Sequence, residues 1–280
     1  IIISNSKDFD DDKITISSGF TFGEISKGAK ILINDGRIQL EVIKKINPNS
    51  IQVKTLIGGC VENGKGVNFP GIGIDMPPLT DQDCMDLSLA IDEGADWIAL
   101  SFVRSAKDKA AVDSILKDKK VSIPVIAKIE KWEALEQLDK IIDTFDGVMV
   151  ARGDLGVEIP QEQVPLIQKK IISMANKSGK PVIIATQLLE TMIESPTPTR
   201  AEISDIANAI FDGTDALLVT GETAIGKFPQ KVIEVLKRVI IETENTIDFN
   251  NILQPIGHEH HTADAISHAT CQIANDMNIG

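Results

Sequence analysis

The run IPVIAKIE (123–130) is apolar except for Lys128 and Glu130. In an extended strand residues two apart share a face, so Lys128 and Glu130 point to one side and Ala127 and Ile129 to the other. A charge in a buried strand is costly unless it is paired or coordinates an ion. The plainer reading is a Lys–Glu pair closing the strand end. The chemical reading is a cation and a carboxylate offered to a bound anion and a metal. A second carboxylate comes from VMVARGDLGVEIP (148–160), where Asp154 stands between Gly153 and Gly156. Glycines there would let backbone amides approach a ligand closely. Glu130 and Asp154 on neighbouring strand ends would seat Mg²⁺, an ion that usually takes one or two protein carboxylates. A solvated loop aspartate is the alternative for Asp154. The other apolar runs also end in polar groups: Ser101 and Arg104, Arg152, Thr186 and Gln187, Thr220 and Glu222.

Strands must hold these residues. Apolar runs at 97–103, 123–129, 147–151, 181–187 and 216–220 alternate with stretches of helical period at 108–118, 133–145, 164–177 and 200–211. A fifth such stretch, 230–244, follows the last strand, and 262–280 is a further helix candidate. Apolar strands each followed by a helix predict a parallel sheet covered on both faces. Five units favour an eightfold β/α barrel over a flat sheet, and in such barrels functional groups gather at the C-terminal strand ends. Residues 1–72 are different. Short β-branched runs (30–34, 37–43, 50–57, 66–69) alternate with turn signals at Asn34-Asp35-Gly36, Asn47-Pro48-Asn49, Gly58-Gly59 and Asn63-Gly64. That pattern predicts a small antiparallel barrel or sandwich. The Pro- and Gly-rich stretch 70–80 then marks a boundary.

Composition narrows the partners. Hydrophobic residues at 42% and charged residues at 25% are ordinary for a soluble globular chain. No apolar run reaches the roughly 18 residues that would suggest a membrane span. The opening IIISNSKDFDDD lacks the pattern of a signal peptide, and with no Met it is not expected to be a natural start. A net charge of −13 argues against a nucleic-acid surface, so an anionic substrate would need a local positive site or a metal. Cys60, Cys84 and Cys271 form no CxxC pair and fit free thiols in a reducing cytoplasm. Gly59–Lys65 spells GxxxxGK, but Gly66 follows where Ser or Thr is needed, so a hairpin is expected and not a phosphate loop. His258, His260 and His261 read as adventitious surface histidines, and Trp97 and Trp132 as packing residues.

IPVIAKIEKWEAL (123–135) resembles the signature segment of pyruvate kinases. MVARGDLGVEIP (149–160), KPVIIATQLLETMIESPTPTRAEISDIANAIFDGTDALLV (180–219) and TGETAIGKFP (220–229) are similar to the family's other long motifs, in the same order. KGVNFPGIGIDMPPLTDQD (65–83) resembles the return from its inserted β domain to the barrel. The resemblance implies an α/β fold, a partial (β/α)₈ barrel preceded by a small all-β lid. Residues 1–72 would be most of that lid, 73–245 barrel strands four to eight, and 246–280 the start of a C-terminal α/β domain. By resemblance, Lys128 would stabilise charge on the transferring phosphoryl group, and Glu130 and Asp154 would hold Mg²⁺ or Mn²⁺. Amides at Gly153 and Asp154 with the Thr186 hydroxyl would bind the phosphoenolpyruvate carboxylate. Lys65 would reach the nucleotide phosphates. Thr220 stands where the family commonly has serine and, with Glu222 nearby, would serve a proton relay to the enolate. The implied reaction gives pyruvate and ATP from phosphoenolpyruvate and ADP, in the cytoplasm. It implies K⁺, with ligands outside this chain, and a homotetramer at full length, with neither nucleic acid nor membrane as partner. These 280 residues alone are expected to be inactive. A metal-dependent lyase or mutase acting on pyruvate-like acids is the rival enzyme reading, and a non-catalytic fragment the third.

Overall fold

The computed structural model describes residues 1–5, 13–16, 22–34, 36–73, 77–247 and 262–277. Asp35, residues 74–76 of the expected boundary and the histidines at 258, 260 and 261 lie outside the described residues. Two compact units divide the chain, Ile1–Ile171 and Ile172–Gly280.

The first unit opens with six strands among the described residues: β1 (Ile2–Ser4), β2 (Lys13–Thr15), β3 (Lys30–Ile33), β4 (Ile38–Asn47), β5 (Ser50–Ile57) and β6 (Val67–Asn68). They form one sheet in the order β2-β1-β5-β4-β3-β6. Alternation sets its buried face: Ile38, Leu40 and Val42 from β4 and Ile51 and Val53 from β5 pack with Ile3, Ile31 and Ile33. Phe22 and Phe69 close the core with rings 6.4 Å apart. The Asn47-Pro48-Asn49 signal forms the β4–β5 hairpin, with the Asn47 side chain accepting from the Asn49 amide at 2.8 Å. The pairings are antiparallel as expected except for β1–β2, which is parallel. Three-residue strands are too short to carry a periodic signal, and neither β1 nor β2 was legible.

Three parallel strands follow in the same unit, β7 (Ile98–Leu100), β8 (Val125–Ile129) and β9 (Gly147–Ala151), with Leu100 opposite Ala127 and Ile129 opposite Val150. Their helices are α1 (Asp81–Asp92), α2 (Lys109–Lys119), α3 (Trp132–Glu136), α4 (Leu138–Thr144) and α5 (Arg152–Glu158), and α6 (Val164–Lys177) runs across the boundary at residue 171. The expected helix over 133–145 is broken at Gln137, which leaves helical geometry at φ −124° and ψ 24°. The break contains neither Gly nor Pro, so nothing local announced it. Helix α1 was not anticipated, although Thr80 and Asp83 form a reciprocal capping box that spells its start. Trp97, expected to pack, is 48% exposed.

The second unit holds parallel strands β10 (Val182–Ala185) and β11 (Ala216–Leu218), paired Ile183 to Ala216 and Ala185 to Leu218. Helices α7 (Arg200–Phe211), α8 (Gly221–Ala224), α9 (Pro229–Glu244) and α10 (Thr262–Asp276) accompany them. Fully buried Ile206 and Ala209 of α7 and Val232 of α9 supply apolar helix faces. The architecture is therefore α/β, a small β-rich sheet followed by strand–helix repeats with parallel strands. Among the described residues no helix is long and apolar enough to cross a membrane.

Candidate active site

Strand β8 places the lysine. Val125, Ile126, Ala127 and Ile129 are buried, while Lys128, on the face opposite Ala127 and Ile129, keeps 25% of its side chain exposed. Its Nζ donates to Ser101 Oγ at 2.8 Å and meets Glu130 Oε1 at 2.8 Å. The Glu130 side chain is only 1% exposed, and its Oε2 accepts the Phe102 amide at 2.7 Å. Phe102 has φ 55°, a left-handed conformation that a bulky residue adopts at a cost of about 1–3 kcal/mol. The plainer sequence reading, a Lys–Glu pair, is thus physically present. It does not exclude chemistry: an ammonium has three donors and a carboxylate about four acceptor positions, so both groups keep capacity for a ligand.

A second pair stands beside the first. Lys131 Nζ lies 2.5 Å from Glu158 Oε1 and 5.8 Å from the centre of the Phe102 ring. The Glu158 side chain is as buried as that of Glu130 and also takes a long contact of 3.5 Å from the Asn68 side chain of β6. Sequence reasoning missed Lys131 and Glu158. A usable signal was present, because Glu158 falls one helical turn after Asp154 and Lys131 directly follows Glu130.

Asp154 and Gly153 belong to the first turn of α5, not to a loop. Register explains the correction: β9 ends at Ala151 and the chain enters the helix at once. Gly156 is not sterically required, since a Cβ there would meet Val164 Cγ2 at an ordinary 3.6 Å. Because β9 pairs with β8, Glu130 and Asp154 leave adjacent strand ends. Arg152 is buried beside Gln168, 3.5 Å from its Oε1. Lys65 is not among these strand-end groups. It lies in the turn after β5, paired with Glu62 at 3.2 Å on an exposed surface.

Thr186, Thr220 and Glu222 belong to the second unit. Thr186 and Gln187 carry φ 68° and 55° in succession, and the Thr186 hydroxyl donates to Ala185 O at 2.6 Å. Two left-handed non-glycine residues in a row cost on the order of 1–3 kcal/mol each. Glu222, 1% exposed, accepts the Leu189 amide on Oε1 at 3.1 Å and the Thr220 amide on Oε2 at 3.0 Å. Hydrogen bonds to a charged acceptor contribute about 1.5–3 kcal/mol each, which is of the size needed to offset that strain.

Two carboxylates leave adjacent strand ends, and among the described residues no group of three or more His, Cys, Asp or Glu converges. Mg²⁺ is normally satisfied by such a sparse protein contribution, the rest coming from water and substrate oxygens.

Comparison with known proteins identifies the family. The family model described as "Pyruvate kinase, barrel domain" matches residues 3–233. Pyruvate kinase 2 of Synechocystis sp. is 43% identical over 268 residues, covering 94% of this chain and 44% of its own. The pyruvate kinase of Thermotoga maritima is 46% identical over 260 residues, covering 91% of this chain and 54% of its own. A crystal structure of a pyruvate kinase from Cryptosporidium parvum superposes with a TM-score of 0.91 at 35% identity, covering 99% of this chain and 59% of its own. The chain thus spans about half the length of the curated relatives it matches. Matched along nearly all of its residues, in sequence and in fold alike, the chain belongs to the pyruvate kinase family.

Proposed function

We propose that this chain carries part of the machinery that transfers the phosphoryl group of phosphoenolpyruvate to ADP, yielding ATP and pyruvate. The observation that carries the reading is Lys128 projecting from a buried strand against a 1%-exposed Glu130, with Asp154 leaving the adjacent strand. Glu130 and Asp154 would hold Mg²⁺ or Mn²⁺, which when bound neutralises charge on phosphoryl and enolate oxygens. Phosphoryl transfer asks little covalent chemistry of protein; it needs in-line positioning and positive charge. Lys128 supplies that charge, its Ser101 and Glu130 contacts aiming the ammonium. Amides at Gly153 and Asp154 take the substrate carboxylate. The proposed part of Thr186 in that binding requires its hydroxyl to rotate off Ala185 O. Lys65 serves the nucleotide, in a β-rich lid of residues 1–72, and K⁺ binds through residues outside this chain. Thr220 is assigned to protonation of the enolate. Barrel residues 73–245, a following domain from 246, a homotetramer and a cytoplasmic setting complete the reading; the free thiols of Cys60, Cys84 and Cys271 fit the last.

Manganese titration followed by electron paramagnetic resonance tests the metal seat directly. Glu130→Gln and Asp154→Asn should each weaken Mn²⁺ binding, because a neutral amide is a poorer ligand for a hard ion. Unchanged affinity in both variants would place the metal elsewhere. A lyase acting on pyruvate-like acids has no use for a nucleotide lid, so ADP binding that depends on Lys65 separates the two enzyme readings.

A further inference from the structure

Glu222 is held between two main-chain donors. Its side chain is all but sealed from solvent, and each of its oxygens accepts a main-chain amide: Leu189 beyond the end of β10 and Thr220 beyond the end of β11. Each oxygen is thus committed to a different loop. A group built this way ties two loops together through one side chain. Three residues before Leu189 stands Thr186, and with Gln187 it adopts a left-handed conformation that neither side chain favours. Such strain persists only where surrounding contacts over-determine it. Leu188 and Leu189 are fully buried and anchor the far side of the turn, and the Leu189 amide is tied to Glu222.

We infer that Glu222 is a positioning residue whose carboxylate, by clamping the Leu189 and Thr220 amides together, holds Thr186 and Gln187 in their strained conformation and so fixes the backbone from which the Thr186 side chain projects. Its bearing on catalysis rests on the function proposed above, in which Thr186 contacts the substrate acid. The two amides belong to segments more than thirty residues apart in sequence, so one side chain fixes both strand-end loops at once. Replacement by glutamine leaves one acceptor oxygen and sets an NH₂ donor against the other amide.

Nuclear magnetic resonance on the isotope-labelled 280-residue chain tests the clamp. In the wild type, the Leu189 and Thr220 amides should exchange slowly and show through-hydrogen-bond correlations to the Glu222 carboxyl carbon. In Glu222→Gln, at least one of these amides should exchange about tenfold faster or more. The Cα and Cβ shifts of Thr186 and Gln187 should move away from left-handed values. Adding Gln187→Gly, which tolerates a positive φ without cost, should return the Thr186 shifts towards those of the wild type. Absence of both correlations in the wild type would overturn the proposal, even if Glu222→Gln failed to fold. So would Thr186 and Gln187 shifts in Glu222→Gln identical to those of the wild type. Phosphoenolpyruvate titrated into the same variants, made in a chimera that carries these residues in place of the matching stretch of a full-length relative, separates the two layers. Binding lost in Glu222→Gln and regained with Gln187→Gly supports the positioning role. A wild type that shows the clamp but binds no phosphoenolpyruvate sinks the substrate assignment and leaves the clamp established.

Discussion

Lys128 and Glu130 form a structural pair to which the proposed function also gives a chemical role. Removing one partner of a buried pair costs about 3–5 kcal/mol, because the other is left as an uncompensated charge. Glu130 would keep only the Phe102 amide in Lys128→Met, so that variant should be destabilised without metal. The same change removes a cation that repels a divalent ion and occupies Glu130 Oε1. Mn²⁺ affinity in Lys128→Met should therefore match or exceed that of the wild type. Phosphoryl transfer should fall by about 10³-fold or more, equivalent to about 4 kcal/mol of transition-state stabilisation. The rate measurement belongs in a chimera carrying these residues in place of the matching stretch of a full-length relative. A chimera within tenfold of its parent would remove Lys128 from the mechanism.

At the scale of elements, acidic side chains join segments that sequence keeps apart. Asp146, just before β9, accepts the amide of Val125 at the start of β8 at 2.9 Å, and Asp215, just before β11, accepts that of Val182 at the start of β10 at 2.8 Å. The same device thus fixes strand register in each unit, at the end opposite the candidate site. Glu202 does similar service for α7. It completes the capping box with Thr199 and also accepts the amide and hydroxyl of Thr191, at 2.8 and 2.6 Å, from the preceding 3₁₀ turn. Burial pushes its carboxyl up, but the hydrogen bonds from Thr191 and Thr199 together outweigh burial and hold it below the ordinary 4.5. A depressed folded value means that stabilisation is complete above pH 4.5 and is lost as pH falls through the folded value. Glu202→Gln should cost about 1–2 kcal/mol near neutral pH. Denaturant titrations should show that difference shrinking below pH 4.5, where the wild-type carboxyl takes up its proton. A difference that persists unchanged at pH 3 would refute the electrostatic account.

For the molecule as a whole, the strand edges decide what the 280 residues can do alone. Among the described strands β7 pairs only with β8, and β11 only with β10. Trp97 and Leu218 stand exposed at 48% and 40%, and Met85 and Leu89 of α1 at 60% each. Unpaired strand edges with apolar flanks invite association with other chains. About half the length of the relatives is also unaccounted for by the matched region. These residues alone should therefore show no pyruvate kinase turnover in a coupled assay with phosphoenolpyruvate, ADP, Mg²⁺ and K⁺. Turnover in the ordinary kinase range of about 1–100 s⁻¹ would show that the catalytic set is complete within them. Weak Mn²⁺ binding should survive, since Glu130 and Asp154 leave adjacent strands within one unit.

Local interactions made much of this legible. Strand 147–151 and helices 164–177 and 200–211 were readable to the residue, because an apolar period and, for α7, a capping box lie within the segment itself. Lys128 and Glu130 on one face followed from strand period alone. Tertiary structure decided the rest. Glu130 finds the Phe102 amide 28 residues away and Glu222 the Leu189 amide 33 residues away, distances at which no periodicity speaks. Phe102, Thr186 and Gln187 take left-handed backbone without being glycine, which no propensity would assign them. The alternative of a loop aspartate at Asp154 fails because α5 begins directly after β9. Element types are written by neighbours in sequence, whereas strand-end geometry depends on how paired strands bring distant residues together, and that exists only once the chain has folded.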